Sequence, residues 1–353
     1  MTEQLDELLG TVLKENASDL HLTVGRRPTI RVSGSLIELA RHPVLTPPIA
    51  TQLVLSLLSQ EQAERFGAEK ELDLSYAFKD KARFRVNVYH QRGFVGAALR
   101  LIPTKIRDFA ELNLPPILAE LCERTQGFLL VVGPTGHGKS TTLAAMVEHI
   151  NHRRADHIIT VEDPVEYLFT SDRAIVDQRE VGADTESFGR ALRSMFREDV
   201  DVVMVGEMRD PETMSMAVTA AETGHLILSS LHTNNAAQSI DRIVDSFPAH
   251  QQGQIRTQLA STIVAIISQR LIPRVAGGLI PSVEVMIGTP AVRTLIREAK
   301  THEIDFVIET SSAEGMVSLN RSLVDLVRRG EITLEQASLY SLNPEELATL
   351  LRV

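Results

Sequence analysis

The sequence is nearly devoid of cysteine, with Cys122 the single one among 353 residues. One thiol excludes an intramolecular disulfide and any cysteine-based zinc site, and it fits a reducing cytoplasm. Long apolar runs are missing too. No stretch approaches the ~18 residues that cross a bilayer, and the acidic, polar start MTEQLDELLG lacks the basic and apolar regions of a secretory signal. Basic charge and aromatic rings are also scarce. With 36 Lys and Arg against 46 Asp and Glu, the formal net charge of −10 has the wrong sign for holding nucleic acid by phosphate neutralisation. The 11 Phe and 4 Tyr offer few rings on which bases could stack, so nucleic acid is not an expected partner. What remains, 43% hydrophobic and 23% charged, is a globular composition, and at this length two domains are expected. The chain shows no internal repeat and no low-complexity tail.

Residues 127–142, GFLLVVGPTGHGKSTT, organise the rest. Gly133, Gly138, Lys139 and Ser140 meet the G-x-x-x-x-G-K-[ST] pattern directly after the apolar run Phe128 to Val132. A buried strand, a glycine loop whose N–H groups close round phosphate oxygens, and a helix presenting its positive N-terminal end together make a phosphate cradle. Leu143, Met146, Val147 and Ile150 recur at helical spacing, so residues 140–152 supply that helix. The candidate nucleotide cradle is thus Gly133, Pro134, Thr135, Gly136, His137, Gly138, Lys139, Ser140 and Thr141. Lys139 would reach the β and γ phosphates of ATP, and the Ser140 hydroxyl would help hold Mg2+.

The first 105 residues or so look like a separate α+β unit. Leu5, Leu8, Leu9, Val12 and Leu13 mark a helix ending near Asn16. Residues 18–24 and 29–39 read as strands, the latter bent at Ser33-Gly34-Ser35, and Pro47-Pro48 opens a helix. Further strands are expected at 73–78, 82–89 and 95–102, with a turn at Lys79-Asp80. Alternation along 82–89 places Arg83, Arg85 and Asn87 on the face opposite Phe84, Val86 and Val88. Arg100 on the next strand is a third member. By spacing alone such a face is more often a solvated surface; arginines aimed at a neighbouring subunit's triphosphate are the alternative.

Prolines at both ends of residues 103–116 mark a linker. Beyond it, apolar runs at 128–132, 157–161, 202–205 and 226–231 alternate with helical segments, the signature of a mostly parallel sheet covered on both faces. Ligands bind such sheets at the carboxyl ends of the strands. Those ends carry Glu162, Asp163 and Glu166; Glu207 with Arg209 and Asp210; and His232 with Thr233 and Asn234. One carboxylate near a γ-phosphate can activate water and another can hold magnesium through its water shell. Asp210, before Pro211, reads instead as a helix N-cap. Residues 289–353 read as helical, with starts at Pro290 and Asn343-Pro344.

Four pieces, GPTGHGKSTTLAAM, TVEDPVEY, DVVMVGEMRDPETMSMAVTAAETGHL and LSSLHTNNAAQSIDRIVD, resemble in order and spacing the Walker A, Asp box, Walker B and His box of the secretion-superfamily hexameric ATPases. ASDLHLTVGRRPTIRVSG and ARFRVNVYHQRG look like the amino-terminal domain of the type IV pilus retraction ATPases, and AVRTLIRE resembles their AIRNLIRE motif, with Val292 and Thr294 as departures. The resemblance implies an α/β fold: a RecA-like P-loop ATPase core at 117–288, a PAS-like α+β domain at 1–105, a linker at 106–116 and a helical carboxyl-terminal part at 289–353. The assembly ATPases of the superfamily carry an extra amino-terminal domain and a tetracysteine zinc element; with neither here, the retraction branch is implied. It further implies Lys139 and Ser140 as phosphate and magnesium residues, Glu207 as the base, Glu162 as the Asp-box acid near the metal and His232 as the γ-phosphate sensor. Arg83, Arg85 and Arg100 become arginines donated across a subunit interface. Implied partners are five further copies in a homohexamer, an inner-membrane platform protein and a paralogous retraction ATPase, with the motor at the cytoplasmic face of the inner membrane. His137 stands where the family usually has Ser, Val200 where Pro is common, and Gly206 where a generic Walker B strand has Asp.

Overall fold

The computed structural model of the chain describes residues 2–32, 34–79, 81–103 and 105–352. Two units divide it: Met1–Lys105 with Pro164–Leu168, and Ile106–Asp163 with Phe169–Val353. Residues 106–116, read as a linker, and the helical residues 289–353 both group with the second unit.

In the first unit, helix α1 (Thr2–Lys14) buries Leu5, Leu8, Leu9 and Val12 on one stripe. Strands β1 (Asp19–Leu22), β2 (Thr29–Val32) and β3 (Ser35–Glu38) precede helices α2 (Pro47–Leu55) and α3 (Gln60–Glu69), and β4 (Glu71–Phe78), β5 (Ala82–Gln91) and β6 (Phe94–Ile102) follow. The strands form one antiparallel sheet in the order β3-β2-β1-β6-β5-β4. The segment expected to bend at Ser33-Gly34-Ser35 reverses fully, pairing Thr29 with Glu38; Ser33 itself, like Asp80 of the Lys79-Asp80 turn, lies outside the described residues. Helix α3 was not legible because Phe66 is its one buried residue, which leaves no periodic stripe; a capping box of Ser59 and Gln62 starts it instead.

The second unit opens with α4 (Ile117–Cys122), β7 (Gly127–Val132), α5 (Lys139–Arg153), β8 (His157–Glu162), β9 (Ile175–Glu180), α6 (Phe188–Met195), β10 (Val202–Val205), α7 (Pro211–Glu222), β11 (Leu226–Leu231), α8 (Ala236–Asp245) and α9 (Ala249–Thr262). Strands β12 (Ile263–Pro273) and β13 (Leu279–Ile287) then precede α10 (Pro290–Arg297), α11 (Ile304–Thr310), α12 (Leu319–Arg328), α13 (Leu334–Tyr340) and α14 (Pro344–Arg352). The sheet runs β13-β12-β7-β11-β10-β8-β9, parallel throughout except for the β12–β13 pair. All six residues of β7 are buried because successive side chains enter different cores. Phe128, Leu130 and Val132 pack with residues of α6 to α9, whereas Leu129 and Val131 pack with Leu118 of α4 and Leu143 and Met146 of α5. The expected apolar runs are β7, β8, β10 and β11. Strands β9, β12 and β13 are additional: β9 is a polar edge strand, and β12 follows α9 without a break. Asp210 is indeed an N-cap, accepting from the Thr213 amide at 2.8 Å.

Candidate nucleotide site

Four parallel neighbours, β7, β11, β10 and β8, end on one edge of the sheet, with Val132 beside Leu231, and Val205 beside Ser229 and Val161. The loop after β7, His232 after β11, Glu207 after β10 and Glu162 closing β8 therefore meet at that edge. The loop is tight. Gly133 sits at φ +149° and a Cβ there would stand 2.3 Å from the Gln269 carbonyl oxygen, so only glycine fits. Gly138, at φ +81°, caps α5, and a Cβ on it would lie 2.8 Å from Gln269 Nε2. Such a close glycine turn opening onto a helix N-terminus suits a phosphate chain.

Lys139 is buried and donates from Nζ to the carbonyls of Gly133 and Pro134, each at 3.0 Å. Its Nζ also lies 3.4 Å from His232 Nδ1, which is 3.2 Å from Thr135 Oγ1. An ammonium can only donate, so Nδ1 accepts and the other ring nitrogen carries its proton toward Glu207. His232 Nε2 is 3.4 Å from Glu207 Oε2, and Arg209 Nη2 is 2.5 Å from Glu207 Oε1. Backbone contacts fix this carboxylate's loop: the Gly206 amide donates to Val161 and the Gly206 carbonyl accepts from Ser230 Oγ. Lys139, His232, Glu207 and Arg209 thus form one continuous polar chain across the strand ends. Ser140 and Thr141 occupy the first turn of α5.

Glu162 is buried and accepts at Oε1 from Thr160 Oγ1 at 2.7 Å and from Gln178 Nε2 at 3.2 Å. Directly across on β9, in register with it, stands a second buried carboxylate, Glu180. Sequence reasoning passed over Glu180, since β9 has no apolar run to flag it. Arg209, placed with Glu207 at the strand end by the sequence, pairs with that carboxylate directly. His137 points back into the fold: its Nδ1 accepts the Leu271 amide at 2.9 Å, and burial, with Arg270 and Lys139 nearby, lowers the imidazole pKa.

Residues 1–337 match the profile of the type II/IV secretion system protein family. Over 341 residues the chain is 42% identical to the type IV pilus retractation ATPase PilT of Pseudomonas aeruginosa, covering 97% of this chain and 99% of that one. The chain belongs to the type II/IV secretion system protein family. Within it, the type IV pilus ATPase PilU of the same organism is 38% identical over 351 residues, 99% of this chain and 92% of PilU. A crystal structure of the pilus retraction motor PilT with bound ADP superposes with a TM-score of 0.90 at 45% identity, over 98% of each chain. The fold is that of the secretion ATPases.

In this secretion ATPase the three arginines lie together on the first unit. Arg85 and Arg100 are direct cross-strand partners, and Arg83 precedes them on the same face of β5. Arg100 Nε donates to Asp19 Oδ1 at 2.9 Å. Burial would raise the Asp19 pKa, but bonds from Ser18 and Arg100 bring it below the ordinary value. Arg293 lies on α10. It is half-buried and donates to the carbonyls of Gly288 at 2.8 Å and Ile263 at 3.1 Å, whereas Arg297 is exposed and donates to Thr294 of its own helix. Arg293 also borders a cavity of about 510 Å³ lined by Gly127, at the start of β7, and by Glu222.

Proposed function

We propose that this ATPase is a motor of type IV pilus retraction, a ring of six copies that hydrolyses ATP at subunit interfaces and converts domain rotation into pilin disassembly and twitching motility. The observation that carries the reading is the polar chain from Lys139 through His232 to Glu207 at the carboxyl ends of adjoining strands. In this reading Gly133 to Thr141 cradle the phosphates, Lys139 pairs with the β and γ phosphates and His232 senses the γ position. Glu207 accepts the proton of the attacking water. Ser140 and Glu162 would hold Mg2+, which supplies charge neutralisation on the phosphates. Arg83, Arg85 and Arg100 act on the nucleotide of a neighbouring subunit, and the first unit is PAS-like. The platform protein in the inner membrane is the partner that is turned, which puts the motor at the cytoplasmic face of that membrane.

The likeness to PilU over 99% of the chain favours one second reading, an accessory retraction ATPase working with a principal one. Deletion of the gene, with wild type or Lys139→Ala returned, tests both. Loss of pilus retraction, restored by wild type and not by the variant, supports the principal motor. Retraction that persists under low load and fails under high load supports the accessory role. Normal retraction together with salt-sensitive binding of single-stranded DNA would move the chain to nucleic-acid work.

A further inference from the structure

Gln269 on β12 touches the phosphate loop at both of its ends. Its backbone oxygen lies against Gly133, where even a methyl group has no room. Its side chain, itself buried, donates from Nε2 to the His137 carbonyl at 2.8 Å and accepts at Oε1 from Thr142 Oγ1 at 2.6 Å. A carbonyl only accepts, so the amide can be oriented in just this sense. Two residues on, the Leu271 amide donates to His137 Nδ1. The flanking residues reach the other side of the site. Arg270 Nη2 donates to Asn234 Oδ1 at 3.1 Å, and Ser268 Oγ donates at 3.0 Å to Glu284 Oε1, which also accepts the Ala236 amide that starts α8. One strand segment, Ser268 to Leu271, thus grips the phosphate loop and the turn that follows His232.

We infer that Gln269 is a positioning residue of the nucleotide site: its amide clamps His137 to Thr142 and so sets the loop N–H groups at the spacing that phosphates need. The inference rests on the reading of the loop as an ATP site. Nothing in it requires Gln269 to touch the nucleotide. It acts through the loop, and its neighbours fix the loop's distance from His232.

The test is titration of the full-length chain with a fluorescent ATP analogue. Gln269→Ala is expected to weaken binding about tenfold or more, since two charge-free but buried hydrogen bonds vanish and leave the Thr142 hydroxyl and His137 carbonyl unmatched. Gln269→Glu supplies the discriminating readout. Ionised, its carboxylate faces the His137 carbonyl without a proton to share; protonated, it donates as the amide does. Relative to wild type at each pH, binding by Gln269→Glu is expected to be impaired at about pH 8.5 and to recover most of the loss near pH 6. Wild-type affinity in Gln269→Ala, or an equal deficit of Gln269→Glu at both pH values, would overturn the clamp. Should either variant fail to fold, Thr142→Val removes only the hydroxyl donor. It is expected to weaken binding roughly threefold to tenfold, with recovery in Thr142→Ser; unchanged binding in Thr142→Val overturns the clamp as well. Wild type that takes up no nucleotide would refute the ATP site itself, a result seen before any variant is made.

Discussion

The same methyl group added at two glycines of the phosphate loop is expected to have very different effects on the nucleotide-free protein. At Gly136, φ is +80° and nothing lies within 4 Å of the added Cβ, so Gly136→Ala costs only the left-handed backbone, about 1–2 kcal/mol. At Gly133, φ is +149°, a region that is essentially glycine-only and adds about 1–3 kcal/mol of strain. The Cβ would also sit 2.3 Å from the Gln269 carbonyl oxygen, on a strand held on both sides by β7 and β13, so neither partner can withdraw cheaply. Overpacking of that kind adds about 1–3 kcal/mol. At roughly 2–4 °C per kcal/mol for a unit of this size, Gly136→Ala is expected to lower the melting temperature by ~2–8 °C and Gly133→Ala by ~4–24 °C, with Gly133→Ala always the lower. Calorimetry of both variants without nucleotide reads this directly. Equal melting temperatures would refute the close approach of β12 to the loop, and with it the physical basis for reading Gly133 as obligatory.

Glu207→Gln is expected to keep ATP binding near wild type while cutting steady-state hydrolysis by about two orders of magnitude or more; Lys139→Ala is expected to weaken binding itself. Rings mixed from Lys139→Ala subunits and subunits with Ala at Arg83, Arg85 or Arg100 are expected to regain ATPase activity that neither parent shows, and silence from every mixture, with rings verified, would argue against arginines acting across the interface. Arg293→Ala is expected to destabilise by about 1–3 kcal/mol through the abandoned carbonyls of Gly288 and Ile263. Arg297→Ala is expected to leave melting and hydrolysis almost unchanged yet stop retraction; normal motility would remove any coupling role for α10. Glu284, pushed up to about 7 by burial despite bonds from Ala236 and Ser268, binds its proton more tightly folded than unfolded. Its contribution is therefore complete below the ordinary value of 4.5 and fades as pH rises through about 7, a loss of about 3 kcal/mol. Glu284→Gln is expected to flatten that part of the melting profile between pH 5 and 8; an unchanged slope would assign it to other groups.

The phosphate loop was legible in the amino-acid sequence because everything it needs is contiguous: a six-residue apolar strand, glycines, Lys139, Ser140 and an amphipathic helix follow one another within thirty residues. Glu162, Glu207 and His232 could be placed beside it because, in a parallel sheet, the end of every strand falls on the same edge. Pairings between distant segments were closed to that reasoning. Gln269 reaches His137 across 132 residues, Arg100 reaches Asp19 across 81, and Glu180 meets Glu162 only through the register of β8 with β9. Periodicity reports which side of an element is buried, and it carries no information about which other element covers that side. Strand order and register decide that, so the polar chain from Lys139 to Arg209 and the grip of β12 on the loop belong to the tertiary structure alone.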